Sequence, residues 1–190
     1  MAINNPGNVV LTQVDASPAH VLGTVVDIEG SEGTKKYKYV KTFPGAGSVT
    51  FHAKQVLVPY SNSTTDNFFD LNYYTADQTD TIGSVCRFAG VAVAANGSST
   101  AARYQWLQIG GNAEMEQGTT TNRATYGVSL IAGLTDAQAR SYPSQTAATD
   151  GDALLLEIQY AERVFAVATS SGSATSTTFS QPIFLLGLGS

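Results

Sequence analysis

The chain is short of the residues that do chemistry. It has one cysteine in 190 residues, which excludes an intrachain disulfide and any zinc site built from several thiolates. That residue, Cys86, lies beside Phe88 in an apolar run and reads as a small buried hydrophobe. There are two histidines, His20 and His52, and neither has an acid or a nucleophile beside it in sequence. Both read as surface residues. Charge is scarce: 13% of residues are Asp, Glu, Lys or Arg, about half the usual share of ~25%. The balance is −5, which argues against a nucleic-acid binder, because neutralising phosphates needs a basic surface. No apolar run approaches the ~20 residues of a membrane helix. No basic stretch followed by an apolar one opens the chain, so synthesis in a cytosol without a secretory leader is expected.

Other chemical motifs fail on spacing. Gly45-Ala46-Gly47-Ser48 has no lysine behind it and no helix after it, so it is not a phosphate loop. Asp66, Asp70, Asp77 and Asp80 do not follow the spacing of a calcium-binding EF-hand loop. No pair stands out among the carboxylates Asp15, Asp27, Glu29, Glu114, Glu116 and Glu157 as an acid and base for glycoside hydrolysis. The expectation is a protein that is not an enzyme and needs neither cofactor nor metal.

What is present is β-structure. Hydrophobic residues make up 43% and aromatics 9%, too apolar for a disordered chain. Cys86–Val93, a Gly/Ser/Asn break and Tyr104–Gly111 read as strand, turn, strand. In the second strand Tyr104, Trp106 and Gln108 face one side, and Gln105, Leu107 and Ile109 the other. Trp106 is expected in the core. Further strands are expected over Val21–Glu29, Tyr37–Phe43, Val49–Val58 (ended by Pro59), Tyr126–Ile131, Leu154–Tyr160, Val164–Ala168 and Pro182–Gly189. Leu134–Ser141 is the one expected helix, capped by Thr135 or Asp136. The fold class is all-β: an antiparallel β-sandwich or barrel with long loops and an extended N-terminal arm. Residues 1–20, polar and broken by Pro6 and Pro18, form that arm and need a partner surface to become ordered. Residues 21–190 form a single β-rich domain, with a candidate sub-boundary near 82.

Three features are candidates for contact with a partner. One is the arm, with Asn4 and Asn5. The second is the lysine cluster Lys35, Lys36 and Lys38, which continues to Lys41 and is interleaved with Tyr37 and Tyr39. Such a cluster fits a solvated strand face protected by lysine, a surface for an acidic protein patch, or a nucleic-acid patch; the net negative chain disfavours the last. The third is the polar segment 61–81 with its aromatics Phe68, Phe69, Tyr73 and Tyr74.

The order of these elements resembles the head decoration, or cement, proteins of tailed bacteriophages and related virion structural proteins. The resemblance rests on the polar N-terminal arm and the Tyr-rich strand Lys36-Tyr37-Lys38-Tyr39-Val40-Lys41. It extends to Gly90-Val91-Ala92, to the aromatic-x-Trp-x-Gln-x-x-Gly strand of Tyr104, Trp106, Gln108 and Gly111, and to Gly151-Asp152 before a strand. It is best over residues 83–160; the aromatic segment 61–81 and the Ser/Thr-rich stretch 170–178 depart from it. The resemblance implies a homotrimer in the virion, on the capsid surface. There it would bind the major capsid protein and hold neighbouring subunits together, with no nucleic acid or membrane as partner. The alternatives are another virion component, such as a tail or minor capsid subunit, and a carbohydrate-binding β-sandwich module.

Overall fold

The computed structural model describes residues 2–3, 9–43, 52–60, 70–75, 90–95, 101–118, 126–127, 129–132, 139–141, 164–170 and 178–186. These residues contain eleven strands and no helix. In chain order they are β1 (Ala2–Ile3), β2 (Val25–Gly30), β3 (Gly33–Phe43), β4 (Val56–Tyr60), β5 (Asp70–Thr75), β6 (Gly90–Ala92), β7 (Arg103–Gly118), β8 (Ser129–Ala132), β9 (Ala139–Ser141), β10 (Ala166–Ala168) and β11 (Thr178–Leu186). The protein is all-β, as the alternation predicts. The strands join into one sheet, antiparallel except for β1–β2 and β3–β5. The two ends of that sheet, β1 and β9, do not pair with each other.

Within the sheet, five strands pair in a ring. β3 pairs with β5, β5 with β4, β4 with β6, β6 with β7, and β7 returns to β3. β7 is long enough to serve two neighbourhoods. Around Leu107 and Gln108 it has β3 on one edge and β6 on the other. From Gly110 to Gly118 it pairs with β11, which carries β10, β8 and β9 beyond it.

Alternation along these strands sorts the side chains into three cores. Val40, Leu57, Tyr74, Ala92, Leu107 and Ile109 meet as one cluster, drawn from every strand of the ring. The opposite face of β3 and β7 gives a second, with Tyr37, Tyr39 and Trp106 joined by Val26 of β2. The other face of β4 and β6, through Val56, Val58 and Val91, packs against Met115, Leu130, Phe165, Ile183 and Leu185. β3, β4, β6 and β7 are therefore covered on both faces, which explains why β4 reads Val-Leu-Val rather than apolar-polar-apolar. Each fully buried side chain of this size contributes about 1.5–3 kcal/mol.

Several expectations are corrected. Part of the expected helix 134–141 is strand: Ala139–Ser141 is β9, in register with Leu130–Ala132. A three-residue edge beside β8 outweighs a marginal helical pattern, since helices this short depend on tertiary packing. Of the strand expected over Val49–Val58, the described residues 52–55 are not strand: Lys54 takes a left-handed turn at φ 74°, and β4 starts at Val56. Pro59 and Pro182 lie inside strands instead of bounding them. The carbonyl of Pro182 accepts from Thr169 at 3.1 Å, just past the last residue of β10, and the proline has no N–H to return, so the β10–β11 pairing ends there. Leu154–Tyr160 and Val49–Phe51 lie outside the described residues.

The arm is corrected too. Residues 9–20 find their partner surface on their own domain. Asp15 and Tyr104 exchange backbone hydrogen bonds of 2.9 and 3.0 Å as an isolated antiparallel bridge. Val9 and Leu11 pack on the Tyr39–Trp106 cluster. Polar composition did not forbid docking, because a few apolar side chains and two backbone bonds suffice when the underlying face is aromatic.

Candidate functional site

The described surface offers two distinct regions, one at each end of β7. At its N-terminal end the strap of residues 9–24 crosses β3 and β7. Gly23 donates to the Tyr39 carbonyl at 2.8 Å, and Tyr39 donates back to Thr24 at 2.8 Å. The Tyr39 hydroxyl donates to the Asp15 carboxylate at 2.9 Å and accepts from the Ala19 N–H at 3.0 Å. His20 stands edge-on to Tyr39 with ring centroids 5.0 Å apart, and Tyr39 lies 5.1 Å from Trp106. Burial pushes the Tyr39 hydroxyl up to about 12; Ala19 opposes this and Asp15 adds to it. Trp106 is core, as expected, and His20 is a packing residue over it.

At the other end a cleft of about 660 Å³ opens between the β2–β3 hairpin and the outward face of β7 and β11. Glu32 and Lys35 form the hairpin wall, Asn112 and Glu114 come from β7, and Thr169 and Pro182 close the far side. A bulge in β7 makes the cleft. One step of β3, Lys36 to Tyr37, is matched by two steps of β7, Gly110 to Gln108, which turns the strand. Gly111 follows at φ +82°, where an added Cβ would collide with the Thr34 carbonyl. Gln108 locks the bend by donating to the Gly110 and Asn112 carbonyls at 3.2 and 2.7 Å. Asn112 donates to the Glu32 carbonyl at 2.9 Å and so ties the hairpin tip to β7. Lys35 is bonded to Glu32 at 2.8 Å, and that bond raises its pKa. Lys54 pairs with Glu114.

Those of the residues expected to touch a partner that are described do not form one patch. Lys35 lines the cleft, and Lys36 stands over Gly110 with Asp27 at 3.7 Å. Lys38 is 6% exposed, because it shares the face of Val40 and Thr42. It is a correction: this lysine does not serve a surface. Tyr74 is corrected in the same way, at 1% exposure in the ring core. Tyr73 lies in β5 opposite Lys41. Asn4, Asn5, Phe68 and Phe69 lie outside the described residues. Among the described residues no group of three or more His, Cys, Asp and Glu is placed to hold a metal.

What sequence reasoning missed is the outward face of β11. Pro182, Phe184 and Leu186 are exposed while Gln181, Ile183 and Leu185 are buried. The signal was there: five residues, Pro182 to Leu186, apolar on both faces of the strand. No known protein family, characterised protein or solved structure matches this chain.

Proposed function

We propose that this chain is a virion structural protein that decorates the outer capsid surface of a tailed bacteriophage as a homotrimer, stabilising contacts between major capsid subunits. The observation that supports the reading is the meeting of the two stretches behind the resemblance. Lys36–Lys41 and Tyr104–Gly111 are far apart in sequence, yet Tyr37 faces Gln108, Tyr39 faces Trp106 and Lys41 faces Tyr104. Features of one ladder are expected to occur together; features matched by chance have no reason to be neighbours.

The mechanism is mass action. A protein that binds only assembled shells shifts their disassembly equilibrium toward the shell. Three weak attachments per trimer strengthen one another by about 10²–10⁴ through effective concentration. Because residues 9–20 are seated on their own domain, attachment falls to the body of the protein. The test is imaging of purified particles with and without this protein, together with their heat stability. Added density at fixed lattice positions and a higher disruption temperature are expected. Failure of the full-length protein to associate with particles overturns the reading.

A further inference from the structure

From Pro182 to Leu186 β11 is apolar on both faces, yet among the described residues only one face is covered. Phe184 is 45% and Leu186 42% exposed, side by side on a strand that is paired along both edges, by β7 and by β10. Strands that are apolar on both faces belong to sheets covered on both sides. The stripe runs into the cleft, since Pro182 belongs to both. The cleft end of the stripe is acidic. Glu32 and Glu114 line it, and Glu116 follows on the same face of β7, opposite Ser180. Glu32 and Glu114 already hold Lys35 and Lys54, whereas Glu116 makes no ion pair among the described residues. One negative charge is therefore in surplus beside an open apolar strip.

We propose that the cleft and the outward face of β11 form a single docking groove for an extended segment of a partner protein. An arginine of that segment lies at the mouth of the cleft, its guanidinium against the Pro182 ring and paired with Glu116, which flanks the cleft on β7. An apolar side chain two to four residues along covers Phe184 and Leu186. The occupant is an extended segment because period-2 side chains match the spacing of the stripe. This assignment stands without the virion reading; under that reading it names the face turned toward the shell.

The test uses the full chain and a fluorescein-labelled peptide that alternates threonine with one arginine and two valines. Two control peptides carry glutamate for the arginine or serine for both valines. The arginine–valine peptide is expected to bind about tenfold or more tightly than either control, and its binding weakens with added salt. Phe184→Ser combined with Leu186→Ser abolishes binding, and Glu116→Gln removes the preference for arginine, both without a change in melting temperature. Equal binding of all three peptides, no binding, or unchanged binding by both variants overturns the groove. On purified particles, a folded Phe184→Ser/Leu186→Ser protein that decorates at wild-type occupancy overturns the groove and leaves the virion reading intact. A wild-type protein that binds the peptide but no particle does the reverse.

Discussion

β7 passes through two environments that treat the same side-chain pattern differently. In its first half Tyr104 and Trp106 point outward from the ring, and the strap 9–24 covers them. In its second half Asn112 and Glu114 point outward beside Pro182 and Phe184 of β11, and nothing among the described residues covers Phe184. Both outward faces carry aromatic or apolar side chains. One is closed by the chain itself and has become core; the other stays at the surface. The difference teaches that exposure here follows from what lies over a strand, not from the composition of the strand.

The sharpest way to break that comparison is Trp106→Ala. At 1% exposure, the loss of the indole should cost about 3–5 kcal/mol and free the strap, read as a lower unfolding midpoint and faster proteolysis within residues 9–20. An unchanged midpoint would mean the strap covers nothing of consequence.

Next in size is the bend that separates the two environments. Gly111→Ala must strain the backbone and push against Thr34, a cost of about 1–3 kcal/mol. Gly127→Ala, at a similar φ of +81° but with nothing within 4 Å of the added Cβ, should cost less. Equal losses, measured by denaturant unfolding, would show that only φ matters at the bulge.

A smaller effect comes from the strap latch. Tyr39→Phe removes the hydroxyl that serves Asp15 and Ala19 and should cost about 1 kcal/mol. The same hydroxyl sets an alkaline limit. Burial raises its folded pKa to about 12, above the ordinary tyrosine value of about 10, so the folded state holds the proton more tightly than the unfolded chain. That stability is fully present below pH 10 and is lost as pH rises toward 12. Burial raises Tyr37 as well, so ultraviolet titration should show more than one tyrosine ionising late, with the component near pH 12 absent from the Tyr39→Phe protein. The smallest effect is at the open face, where Phe184→Ser should change stability by no more than about 0.5 kcal/mol. A large loss there would mean that Phe184 is already part of a core.

The all-β class was legible because short runs rich in aromatic and β-branched residues, as in Tyr37–Phe43 and Tyr104–Ile109, are separated by Asn/Gly and Gly/Ser breaks. The β6–β7 pairing was legible for the same reason: Val91 faces Gln108 and Ala92 faces Leu107. Lys38 and Tyr74 were misplaced because hydropathy assigns a lysine to solvent and cannot register that a ring of strands encloses its position. The strap was misread because its fit depends on Tyr39 and Trp106, which lie far along the chain. The β11 groove left a trace in sequence, Pro182-Ile183-Phe184-Leu185-Leu186, but a doubly apolar strand looks the same whether or not both faces are covered.

The β3–β7 ladder also dictates the order in which the protein can be made. The Thr42 and Gln105 side chains that meet across it are 63 residues apart, and β7 finds its other partner, β11, a similar stretch further on. A chain leaving the ribosome therefore carries β3 with an unfilled edge until β7 emerges, and β7 with an unfilled edge until β11 does. Closure of such distant pairings is slow. During that interval both strands depend on the nascent chain's own dilution, or on a chaperone, to avoid pairing with another copy.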